Sequence, residues 1–106
     1  WFNGHADFAP PVIDLADRSF SLAGGRMDYL DGHSAAAIVY RHGQHRINLF
    51  IWPASAKDSA PRSVSRDGYT LENWQSGGLT FWAVSDIDPG ALHKFTAALR
   101  AENARR

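Results

Sequence analysis

Gly24-Gly25-Arg26-Met27-Asp28-Tyr29-Leu30-Asp31-Gly32 decides the fold of this chain. Asp-Gly between two strand-like runs signals a two-residue hairpin, because both central positions of the turn require φ > 0. The residues before it, Phe20 to Leu30, then form one strand, with a bulge or bend at Gly24-Gly25. The residues after it, from about His33 to Arg41, return antiparallel to the first.

Working outward, Arg41-His42-Gly43-Gln44-His45 supplies a second tight turn, and Arg46 to Trp52 reads as a third strand ended by Pro53. Ala54 to Asp67 is polar with little periodicity and reads as the longest surface loop. Tyr69 to Gln75 and Leu79 to Val84 give strands four and five around Ser76-Gly77-Gly78. Asp86 or Asp88 then caps a helix that has Pro89 in its first turn and Leu92, Phe95 and Leu99 at helical spacing, to about Asn103. Residues 1–20 are irregular around Pro10-Pro11, with one short helical turn expected over Val12 to Ala16. The expected fold is α+β: a five-stranded antiparallel meander sheet, the C-terminal helix packed on one face and an irregular N-terminal segment.

The composition fits one domain spanning residues 1–106. The chain is 44% hydrophobic and 21% charged, and at this length folding buries roughly two thirds of the unfolded surface. Eleven basic and eleven acidic side chains cancel, so no long-range field draws a polyanion, and nucleic acid is not an expected partner. The chain has no cysteine, which excludes disulfides and thiolate metal sites. No apolar run reaches the ~20 residues that cross a bilayer. Trp1 rather than methionine opens the chain, so upstream residues of a longer protein are expected.

Alternation makes both sheet faces apolar. The third strand sends Ile47, Leu49 and Ile51 one way and Asn48, Phe50 and Trp52 the other, and Leu79, Phe81 and Ala83 likewise oppose Thr80, Trp82 and Val84. One helix covers one face. The other is covered by the N-terminal segment, through Phe2, Phe8 and residues 12–16, or by the long loop, or it is a partner or dimer surface centred on Phe50, Trp52 and Trp82, with Trp74 as a further candidate.

Chemistry is sparse. His42 and His45 flank a turn and are weak metal candidates, but two imidazoles do not make a site. His33 lies nine residues from His42, roughly 30 Å away at strand rise, and sequence does not place His5 or His93. Ser76-Gly77-Gly78 has Gln75 where a nucleophile elbow has glycine, and the aspartates suit turns and caps. No catalytic residue, cofactor or metal is expected.

Over most of its length the chain resembles the extracytoplasmic domain of transmembrane anti-sigma factors. The pieces that carry the likeness run in order from Trp1-Phe2-Asn3-Gly4, Asp7-Phe8-Ala9-Pro10-Pro11-Val12 and Asp14-Leu15 to the Gly24–Gly32 stretch. Ala36 to Arg41, His45 to Pro53, Gly68-Tyr69 through Trp74, and Gly77 to Asp86 continue it. The resemblance implies a sensory or regulatory domain on the periplasmic side of the bacterial inner membrane, anchored by an upstream membrane helix. It also implies a cytoplasmic helical domain holding the sigma factor, which this chain would touch only through that missing part. An envelope signal would act here through a periplasmic or membrane protein partner, or through self-association, to release the sigma factor. The alternative is a periplasmic module for a small ligand or metal.

Overall fold

The computed structural model describes residues 12–30 and 32–105, apart from the side chains of Leu30 and His33. Its elements are β1 (Ser21–Leu30), β2 (His33–His42), β3 (His45–Pro53), β4 (Ser59–Arg66), β5 (Tyr69–Ser76), β6 (Leu79–Ser85) and the helix α1 (Pro89–Ala104), preceded by a 3-10 turn at Ala16–Arg18. All six strands join one antiparallel sheet in the order β1-β2-β3-β6-β5-β4.

The hairpin readings hold where they can be seen. Leu30 pairs with His33 across the first turn, with Gly32 at φ 78°, and the register shifts between Leu22 and Gly24, where the glycine pair marks the bulge. Gly77 and Gly78 take φ 59° and 80° between β5 and β6. Asp88 caps α1 by accepting from the Ala91 amide at 3.0 Å, with Pro89 opening the helix.

Two expectations about the sheet are corrected. The sheet has six strands rather than five, because residues 59–66 of the supposed loop form β4, joined to β5 through Asp67-Gly68 with φ 53° and 82°. Nor is the sheet a simple meander: β1-β2-β3 and β4-β5-β6 are two three-stranded meanders, and β6 docks against β3. Burial explains the order. β3 and β6 are apolar on both faces and lie at the centre, whereas β4 is exposed at nearly every position and lies at an edge, where a proline such as its Pro61 is tolerated.

One face of the sheet carries the core. Ile38 and Tyr40 of β2, Ile47, Leu49 and Ile51 of β3, and Phe81 and Ala83 of β6 are buried beneath Leu92, Phe95 and Leu99 of α1. Residues 12–20 complete this cover. Ile13, Leu15 and Phe20 join the same cluster, the Tyr40 hydroxyl donates to the Ile13 carbonyl at 2.7 Å, and the Phe95 ring meets those of Phe20 (5.3 Å) and Tyr40 (4.9 Å) edge-on. Residues 12–16 therefore pack on the helix face, not across the second face as one sequence reading had it. Phe2 and Phe8 lie outside the described residues.

Candidate binding surface

The second face is assembled from every other residue of six strands. Register places Arg26, Ala37, Phe50, Trp82, Asn73 and Arg62 in one row across the sheet. The next row toward the Arg41–Arg46 end contains Gly24, Val39, Asn48, Val84, Leu71 and Val64. Trp52 pairs with Thr80 on the other side of Phe50. Phe50, Trp52 and Trp82 are all half-buried, as are Leu71, Val84 and Val39 around them. Ala35, Ala37 and Thr80 on the same face are buried, at 0%, 1% and 4% exposure. The Asn73 amide donates to the Phe81 carbonyl at 2.9 Å, which fixes a polar side chain next to Trp82 in the sheet.

Trp74 does not belong to this surface. It pairs with Phe81, shares the helix face, is 1% exposed, and stacks on the Phe81 ring at 5.0 Å with the planes 2° apart. Its candidacy failed because β5 has polar residues, Thr70 and Glu72, on the core side and Leu71 on the second face, so alternation alone gives the wrong parity.

The cancelling charges of the sequence hide a segregation. Arg26 of β1, Arg41 of β2, Arg46 of β3, and Arg62 and Arg66 of β4 all occupy positions on this second face, and all five are exposed. Asp28 is the one carboxylate among the described strand positions of that face, and it holds Arg26 at 3.4 Å. Sequence reasoning missed this because whole-chain charge was weighed before strand parity.

The histidines do not converge. His42 Nδ1 lies 2.9 Å from the Ser19 carbonyl, with its ring stacked on Phe20, whereas His45 Nδ1 lies 3.2 Å from Asp86 Oδ1. Each neighbours the other in register, yet each is committed to a separate partner. Among the described residues no three of His, Cys, Asp and Glu gather to hold a metal ion.

A second polar group lies beneath α1. Glu72 is 2% exposed; its Oε1 has no hydrogen-bond partner among the described residues, and its Oε2 stands 3.8 Å from Nδ1 of the exposed His93 ring, too far for a hydrogen bond. Thr96 of α1 is fully buried, with its hydroxyl also unpartnered among them. Polar atoms buried without partners among the described residues are a cost within the core.

No described helix is long and apolar enough to cross a membrane. Comparison of the chain with protein-family models, with curated proteins and with solved structures finds no match in any of the three.

Proposed function

We propose that this chain is a non-enzymatic protein-contact domain, and specifically the extracytoplasmic domain of a transmembrane anti-sigma factor, passing an envelope signal to sigma-factor release. The contact role is carried by one observation: the described covering elements, α1 and residues 12–20, both pack on one face, and the other presents half-buried Phe50, Trp52 and Trp82 within a rim of exposed arginines. Aromatic residues and arginine are the side chains that dominate protein interfaces. The regulatory identity rests on the sequence resemblance. His42 and His45, held by different partners, give the metal-module reading no support.

The test is a sigma-dependent reporter driven through the full-length parent carrying Trp52→Ser and Trp82→Ser together. Altered induction, with circular dichroism unchanged in the isolated domain, is the expected outcome. Normal induction by a folded double variant refutes the contact role.

A further inference from the structure

We infer that the outer edge of β1 pairs antiparallel with β1 of a second copy of this chain, about a two-fold axis through Met27, joining two sheets into one. This goes beyond the contact role proposed above and rests on neither the aromatic side chains nor the anti-sigma identity. Among the described residues β1 has a sheet neighbour on one side only, β2. Its positions stay in water in the folded chain: Ala23, Gly25, Arg26 and Tyr29 are exposed, and Tyr29, at 75%, is the most exposed large hydrophobic side chain described. A strand edge left in water is a template for another strand.

Bonding direction and charge choose the register. Leu30 and His33 face each other across a two-residue turn, the place where antiparallel strands exchange backbone bonds. Direction alternates along a strand, so Asp28 and Arg26 bond inward to β2, whereas Gly25, Met27 and Tyr29 turn amide and carbonyl outward. With Met27 opposite Met27 of the second copy, Gly25 falls opposite Tyr29, and the pairing closes about six backbone hydrogen bonds. Arg26 then falls opposite Asp28 of the second copy, and Asp28 opposite its Arg26, at the non-hydrogen-bonded positions where side chains approach most closely. Each carboxylate, already 3.4 Å from the guanidinium of its own chain, gains a second one. Moving the axis to Arg26 or to Asp28 sets like charges against each other instead. The Tyr29 ring covers a glycine of the second copy, which shields an otherwise bare stretch of backbone.

The other edge of the sheet lacks this complementarity. The charged residues of β4 are Arg62 and Arg66, both cations, and Pro61 has no amide hydrogen to offer. β4 is thereby guarded against pairing with itself, whereas β1 contains no proline and balances its one cation with one anion two residues away. Pairing from Gly25 to Tyr29 makes an interface on the order of 1,000 Å², at the small end of specific ones, so the dimer is reversible and depends on concentration.

The experiment is sedimentation equilibrium of the 106-residue chain from about 5 μM to about 1 mM. The chain should dimerise over that range, and amide exchange at Gly25, Met27 and Tyr29 should slow as concentration rises. Arg26→Asp and Asp28→Arg each set like charges opposite one another at both pairs and should weaken the dimer about tenfold. Circular dichroism should not change, because the two side chains are 53% and 40% exposed. An equimolar mixture of the two variants restores opposite charges at both pairs, as does the double variant Arg26→Asp/Asp28→Arg, and each should dimerise as the unaltered chain does. A monomer at every concentration, a dimer that survives both single reversals, or a loss that the mixture or the double variant fails to repair overturns the inference. So does growth beyond the dimer, which would mark head-to-tail pairing of β1 with β4.

Discussion

Replacing Phe95 by alanine should show which face of the sheet holds the molecule together. The ring is fully buried and is the one α1 side chain described as meeting both Phe20, at 5.3 Å, and Tyr40, at 4.9 Å, so it joins helix, N-terminal segment and sheet. Truncation removes the transfer energy of the ring, leaves a cavity that three separate elements must collapse to fill, and forfeits two edge-on aromatic contacts; a loss of about 4 kcal/mol follows. For a domain of this size each kcal/mol moves the melting point by roughly 4–8 °C, so a fall of about 15–30 °C is expected. Trp82→Ala is the matched comparison, because that ring lies on the second face and is only partly buried; its loss should be near 1–2 kcal/mol. Urea denaturation followed by circular dichroism measures both. Equal losses, or a larger loss at Trp82, would refute the assignment of core and contact faces.

Three further outcomes follow from single contacts. Tyr40→Phe leaves the Ile13 carbonyl without its 2.7 Å donor, which should cost about 1–2 kcal/mol and speed amide exchange over residues 12–20; unchanged exchange there would show that the hydroxyl does not anchor the segment. Thr96→Val removes a buried hydroxyl that has no partner among the described residues, so stability should hold or rise by about 1 kcal/mol, and a clear loss on denaturation would reveal a partner for it. Gly68 has φ 82°, and Gly68→Ala should cost about 1 kcal/mol by thermal melting, whereas an unchanged melting point would mean the β4–β5 turn is not held in that conformation.

The legible parts of the fold were those written in local chemistry. Asp31-Gly32, Ser76-Gly77-Gly78 and Asp88-Pro89 each demand a particular backbone geometry, and the hairpins and helix start follow them. β4 was not legible because an edge strand exposed on both sides has no apolar alternation; Val64 is its one large apolar side chain. The signal that would have found it is Asp67-Gly68, the same dipeptide as at 31–32, standing between Val64-Ser65-Arg66 and Tyr69. Strand order was hidden because two meanders can dock in several ways, and the choice rests on which strands are apolar on both faces. For the surface, Phe50, Trp52 and Trp82 followed from parity, whereas Trp74 required the observed pairing with Phe81. The arginine rim was available to the same parity argument, which places Arg41, Arg46 and Phe50 on one side.

Reading the native coding sequence upstream of Trp1 tests the regulatory identity most directly. A membrane-spanning segment preceded by a small cytoplasmic helical domain that carries histidine and cysteine is the expected finding. An upstream signal peptide alone, or no membrane segment at all, would contradict the assignment of this domain to a transmembrane anti-sigma factor.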